Sequence, residues 1–264
     1  RRKYSDEDVA KFRQNAQPPH ESVAGVPPSE LFDKHYFGGG GKWGGYAHEG
    51  YRDFGVHEVT FRHLLARKPE SVLEVGCARG YIVKRLQDAG IIANGIEVSK
   101  HCWMTRVADG IACVDLCKTP WPEVKSNQSE SNPRTDRMGD FGFKYDLCTS
   151  IATMEHVPEA SLPAVIKEMQ RTCRRGLHGI DFGANDDNFD KTHVTLRPKT
   201  FWVEQFQRHA PGWPVEIMDK EDLERGVHVD LWSINREPGV LKLNLGSFTN
   251  MTWGWTNVDV HDLA

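Results

Sequence analysis

The sequence predicts an α/β fold with a doubly wound parallel sheet, and three observations predict it. The first is the run Ser71-Val72-Leu73-Glu74-Val75-Gly76-Cys77-Ala78-Arg79-Gly80, in which an apolar strand feeds a glycine-punctuated turn. The second is Ile91-Ile92-Ala93-Asn94-Gly95-Ile96, another apolar run, which ends on the carboxylate of Glu97. The third is alternation: strand-like and helix-like stretches follow one another, with ligand-holding residue types at the strand ends.

Each element follows from its residues. Residues 1–55 read as an N-terminal extension, polar and proline-dotted at first, with one short helix expected over residues 6–14. Glycine runs between aromatics then mark residues 35–51. Tyr36, Trp43, Tyr46 and Tyr51 can form a lid over a bound ligand, or simply pack on the core. The main domain spans residues 56–236. Its first strand is Val72, Leu73 and Val75, and Tyr81-Ile82-Val83 begins a helix whose first N–H groups face a ligand. A third strand covers residues 112–116 and ends near Asp115; a fourth covers residues 145–150 and ends at Ser150. Ser161 opens a helix with Leu162, Val165, Ile166, Met169 and Cys173 on one face, Gly176 closes it, and residues 177–181 form a fifth strand. An antiparallel pair is expected at residues 215–218 and 227–234.

Bulk properties narrow the function. The chain has 264 residues and a formal net charge of −4, which argues against a protein that grips nucleic acid through its phosphates. Six cysteines lack zinc-knuckle spacing and read as buried reduced thiols. No apolar run approaches the ~18–20 residues of a membrane span, and a cytoplasmic enzyme is the expectation. Residues 125–140 are polar, lack aromatics and read as an inserted surface loop.

The glycine spacing selects the ligand. A dinucleotide site calls for G-x-G-x-x-G, whereas the chain has Glu74-x-Gly76-x-x-x-Gly80 with alanine at position 78. That disfavours a nicotinamide-dependent oxidoreductase. Glu74-Val-Gly-Cys-Ala-Arg-Gly resembles the first motif of Rossmann-like S-adenosylmethionine-dependent methyltransferases, departing from it at Ala78. Tyr145-Asp146-Leu147 followed by Glu155-His156-Val157 resembles that family's fourth motif, and the likeness covers roughly residues 56–235. It implies S-adenosylmethionine as cofactor and S-adenosylhomocysteine as product. It implies ribose recognition by Glu97, adenine recognition by Asp115 and Leu116, and further cofactor contacts from Glu74, Gly76, Cys77, Ala78, Gly80, Val98 and Ser150.

For catalysis, Glu155 and His156 follow the fourth strand, and either a proton-accepting or a structural role suits His156. Asp190-Lys191-Thr192-His193 resembles the segment after the fifth strand in small-molecule and sugar-associated methyltransferases, which makes His193 the preferred base or substrate-orienting residue. No metal is assigned; Asp181, Asp186 and Asp187 could bind Mg²⁺ but read better as a solvated turn. The expected activity is O-methylation of a small molecule or carbohydrate; the alternative is a non-catalytic S-adenosylmethionine-binding module of a larger glycan-assembly protein. A nucleic-acid or protein acceptor is disfavoured by the missing basic stripe and the missing Asn/Asp-Pro-Pro-Tyr motif. In residues 237–264, Leu243-Asn244-Leu245-Gly246-Ser247 and Gly254-Trp255-Thr256-Asn257-Val258-Asp259 resemble the start of a second methyltransferase-like domain.

Overall fold

In a computed structural model, residues 23, 25–39, 42–46, 50–53, 55–122, 144–181, 190–213, 215–218 and 228–233 are described. The expected helix at 6–14, the polar insertion at 125–140, Asp186, Asp187 and the tail at 237–264 lie outside them.

Two short helices, α1 (Pro28–Leu31) and α2 (Lys34–Gly38), precede α3 (Gly55–Ala66). The sheet then begins with β1 (Ser71–Val75), α4 (Tyr81–Asp88), β2 (Ile92–Glu97), α5 (Lys100–Met104) and β3 (Ile111–Cys113). It continues with β4 (Tyr145–Ile151), α6 (Leu162–Thr172), β5 (Cys173–Asp181), α7 (Lys199–His209), β6 (Val215–Met218) and β7 (His228–Ser233). The strand order is β3-β2-β1-β4-β5-β7-β6. Strands β1 to β5 are parallel, whereas β7 runs antiparallel to both β5 and β6. This is a doubly wound, Rossmann-like sheet, and the direction of strand addition reverses between β1 and β4, where such sheets open a ligand crevice.

Strand alternation sorts the core into two layers. Val72, Leu147 and Leu177 point to one face, where Leu64 of α3 and Ile82, Val83 and Leu86 of α4 cover them. Their neighbours Leu73, Val75, Cys148 and Ile180 point to the other, under Ile166 and Met169 of α6 and Trp202 and Phe206 of α7. All five residues of β1 are buried, as a strand covered on both faces requires.

Two expected boundaries move. The third strand stops at Cys113 rather than reaching Leu116: Val114 N–H makes the last ladder bond, to the Glu97 carbonyl at 2.8 Å, and the Asp115 carboxylate then accepts the Cys117 N–H at 3.0 Å and turns the chain. Gly176 does not close α6: the helix ends at Thr172, whose hydroxyl donates to the Glu168 carbonyl at 2.9 Å, and β5 starts at once with Cys173. Gly176 lies inside β5 opposite Cys148, where a Cβ would come within 2.4 Å of His178 Nε2 and 2.9 Å of the Trp213 ring. Its role is close packing, not turning.

The two-layer core makes a direct prediction. Ile166→Ala, at a fully buried position under the sheet, is expected to cost about 2–5 kcal/mol in urea unfolding. Met104→Ala, at an exposed position, should stay within about 0.5 kcal/mol of the parent.

Candidate active site

The first turn of the sheet forms the floor of a cleft. Gly76 leaves β1 with φ +70°, and a Cβ there would meet the Thr153 side chain at 2.3 Å. Ala78 also takes a left-handed conformation, φ +47°, a strained choice for a residue with a Cβ. It is held by its N–H, which donates to Glu97 Oε2 at 2.7 Å. The other oxygen of that carboxylate accepts the Ser99 N–H, also at 2.7 Å. Burial pushes the Glu97 carboxyl up to about 6, against the pull of the Ser99 and Ala78 N–H groups.

The cleft opens above the C-terminal ends of β1 to β4 and holds about 730 Å³ of atom-free space, solvent at its mouth included. Gly76, Ala78, Glu97 and Val98 line one side, Asp115 and Leu116 a second, and Ile151, Thr153 and His156 a third. Five rings of the N-terminal segment, Phe32, Tyr36, Phe37, Tyr46 and Tyr51, complete the wall. Tyr46 and Tyr51 meet edge-on at 4.9 Å between centroids, Phe37 and Tyr46 stack at 5.8 Å, and Phe32 meets Tyr36 edge-on at 5.1 Å. Burial raises the phenols of Tyr36, Tyr46 and Tyr51 well above their usual range, so all three stay neutral donors.

Beside this wall lies a polar cluster. One donor atom each from Glu155, His156 and His193 lie within 4.8 Å of one another, and the two imidazoles meet at 4.5 Å between centroids. The turn at Met154–His156 carries the first two, and the segment after β5 brings in the third through Thr195, whose N–H donates to the Glu155 carbonyl at 2.9 Å. Asp190 organises the group. Its Oδ1 accepts the Thr192 N–H at 2.9 Å and the Thr192 hydroxyl at 2.5 Å, and its Oδ2 accepts the Tyr36 hydroxyl at 2.7 Å. Burial would raise the Asp190 carboxyl, but His156, His193 and those hydroxyls outweigh it and hold it below the usual range.

The tautomer of His156 follows. Its Nδ1 lies 3.1 Å from the Thr192 carbonyl and 2.9 Å from the Thr192 hydroxyl, whose own proton is committed to Asp190. Both neighbours can only accept, so Nδ1 carries a proton.

A family model described as a methyltransferase domain matches residues 46–180. The chain belongs to that methyltransferase family. No curated protein sequence matches the methyltransferase. Among solved structures it is similar to the methyltransferase domain of bacterial CtHen1, at 15% identity over 68% of this chain and 97% of that one, with a TM-score of 0.47. A TehB-like SAM-dependent methyltransferase from Corynebacterium glutamicum is similar at 15% identity, over 67% of this chain and 88% of that one, with a TM-score of 0.45. Magnesium protoporphyrin IX methyltransferase from Synechocystis, solved with bound SAM, is similar at 12% identity over 68% of this chain and 78% of that one, TM-score 0.44.

The methyltransferase brings Gly76, Ala78, Glu97, Val98, Asp115, Leu116, His156, Tyr36, Tyr46 and Tyr51 to one cleft. Other expected residues sit elsewhere. Ser150 is buried and bonds His178 Nδ1 at 2.8 Å behind the sheet end, and Ile151 to Thr153 take the wall position in its place. Trp43 is not among the described lining residues; its carbonyl accepts the Lys191 N–H at 2.7 Å. Glu74, Cys77 and Gly80 lie beneath the cleft. Burial drives the Glu74 carboxyl well above its usual range, against the pull of the Val83 N–H, with the charge of Glu97 adding to the rise. Cys77 packs where a Cβ on Gly95 would fall, and Gly80 caps α4 with φ +78°. Glu155 and His193 stand behind His156 rather than on the lining itself.

Sequence reasoning assigned no role to Phe32, Phe37, Thr153, Asp190 and Thr192. The Asp190-x-Thr192-His193 spacing was a usable signal, since an acid two residues before a threonine can bond both its N–H and its hydroxyl. Phe32 gave none.

The Glu97 environment predicts a pH effect on stability. The folded state keeps a proton on Glu97 up to about pH 6, whereas the unfolded chain releases it near pH 4.5. The folded state therefore binds more protons between those values, and the stability contribution of Glu97 falls as pH rises through that window. Urea unfolding at pH 4.5 and 7 should show the parent losing stability relative to Glu97→Gln, on the order of 1–2 kcal/mol.

Proposed function

We propose that the protein transfers the methyl group of S-adenosylmethionine to a hydroxyl oxygen of a small molecule or carbohydrate. The residues present fit the donor. The Gly76–Gly80 turn lets backbone approach a ligand, Glu97 offers carboxylate oxygens to ribose hydroxyls, and Asp115 with Leu116 suits an adenine edge and face. When bound, S-adenosylmethionine supplies an electrophilic methyl carbon on a positively charged sulfur. The rings of Tyr36, Tyr46 and Tyr51 favour such a charge through their π faces and exclude water from it.

The observation that carries the reading is the buried Glu97 carboxylate at the tip of β2, facing the same cleft as Asp115 and His156. The choice of an oxygen acceptor rests on the second half of the site. His156 lines the cleft with Nδ1 protonated, so its Nε2 is the atom able to take a hydroxyl proton. His193, favoured for that role by sequence, packs edge-on behind His156 and supports it. The preference for a carbohydrate rests on the resemblance of the 190–202 segment alone.

Calorimetry with S-adenosylhomocysteine, with NADH as control, tests the donor. Micromolar binding of the first and none of the second is expected, and Glu97→Ala should weaken binding by about 10–100-fold, the equivalent of ~1.5–3 kcal/mol. Unchanged affinity in that variant would refute the assignment. His156→Ala should retain S-adenosylhomocysteine affinity and lose about 10²–10⁴-fold in turnover on a hydroxyl acceptor panel. Equal loss of both would make His156 structural.

A further inference from the structure

We propose that Asp53 and His57 are positioning residues for the methyl donor. They hold the Tyr51 ring on the cleft wall with its hydroxyl proton drawn away from the cleft. So held, the ring favours the positive sulfonium of the donor over the neutral thioether of the product. This selectivity rests on the methyltransferase reading above.

The three residues form one hydrogen-bonded line. Asp53 Oδ1 lies 3.0 Å from His57 Nδ1, and His57 Nε2 lies 3.1 Å from the Tyr51 hydroxyl. Asp53 stands exposed just before α3, His57 is buried in the first turn of that helix, and Tyr51 lines the cleft. The outer end is anchored: the second Asp53 oxygen accepts from Arg85 of α4 at 2.6 Å, and Arg85 also bonds Glu58.

The direction of the line follows from its members. Burial pulls the His57 imidazole below its usual range, helped by Arg85 and opposed by Asp53, and the ring is neutral at pH 7. A carboxylate only accepts, so the single ring proton sits on Nδ1 and Nε2 presents a lone pair to Tyr51. The Tyr51 hydroxyl is therefore the donor, and its proton points to a buried ring rather than into the cleft.

That direction matters to a cation. A phenol that gives its proton to a carboxylate-backed imidazole gains electron density on its oxygen and ring, since hydrogen bonds in series polarise one another. A richer π face attracts a positive charge more strongly, and most of all in a wall stripped of water. Tyr36 on the same wall follows the same rule, donating to the Asp190 carboxylate at 2.7 Å. Place agrees with charge. His57 stacks on Tyr81 at 5.5 Å between centroids, and Tyr51 lies 5.8 Å from that same ring. Tyr81 directly follows Gly80, which puts Tyr51 beside the glycine turn assigned to the donor. The neutral product draws no such attraction, so the wall favours its exchange for fresh donor.

The test is calorimetry on the whole chain with S-adenosylmethionine and S-adenosylhomocysteine, with no acceptor present so that neither reacts. The readout is the ratio of the two dissociation constants. Tyr51→Phe and Asp53→Ala should each lower the preference for S-adenosylmethionine by about 3–10-fold relative to the parent. His57→Ala should do the same, and His57→Gln, whose amide can accept from Tyr51 and donate to Asp53, should restore most of it. Because His57 is buried and its variants can fail to fold, the exposed Asp53 and the loss of a single hydroxyl in Tyr51→Phe keep the test decisive. An unchanged ratio in those two variants would overturn the selectivity and keep the methyltransferase reading. Equal weakening of both ligands would also overturn it, because Asp53 and His57 would then only brace the fold. Binding of neither ligand to the parent removes both.

Discussion

The Glu97 carboxylate is the joint on which the cleft depends. It ends β2, yet its two oxygens accept N–H groups from the turn after β1, at Ala78, and from its own following loop, at Ser99. The neighbouring Ile96 carbonyl accepts Gly76 and Cys77 N–H at 2.9 and 3.2 Å, so two adjacent strand ends are stitched together over a few residues. Charge-assisted bonds of this kind are strong enough to hold Ala78 in the left-handed region without glycine's freedom. That arrangement explains how the turn tolerates alanine where the family motif has glycine. The cost is a carboxylate deep in the protein, visible as a raised pKa.

A second carboxylate does for the cleft's other side what Glu97 does for its floor. Asp190 accepts the hydroxyl of Tyr36, a partner 154 residues away in the chain, and the hydroxyl and N–H of Thr192. Around it, Tyr46 N–H donates to the Tyr36 carbonyl, Tyr51 N–H to the Phe37 carbonyl, and Lys191 N–H to the Trp43 carbonyl. The N-terminal aromatics, the loop after β4 and the segment after β5 therefore form one hydrogen-bonded assembly. The aromatic strip both packs on itself and lines the cleft.

The depth of burial also separates residues that sequence motifs group together. Glu74 and Glu97 are both acids at strand ends, but Glu74 sits below the turn near the start of α4, whereas Glu97 reaches the cleft. Ser150 and Thr153 differ in the same way: Ser150 turns inward to His178, itself stacked on Phe206 at 5.0 Å, and Thr153 turns toward Gly76. A motif states that a residue is near a strand end; only the strand's pleat states which way it faces.

What the sequence determined by itself was the alternation of strands and helices, the glycine turn after β1, and the acids after β2 and β3, because these are encoded locally by periodicity, turn chemistry and spacing. It also named Glu155, His156 and His193. The limits of β3 and β5 escaped it, since Asp115 bends the chain back on its own loop and Gly176 packs against Trp213, far along the chain. So did the hydrogen bonds made by Asp190, the place of Phe32 and Phe37 on the cleft wall, and the packing of His193 behind His156. Those were decided by tertiary structure alone: a hydrogen bond such as Tyr36 to Asp190, or a contact of two imidazoles 37 positions apart, exists only once the sheet has brought separate loops to the same end.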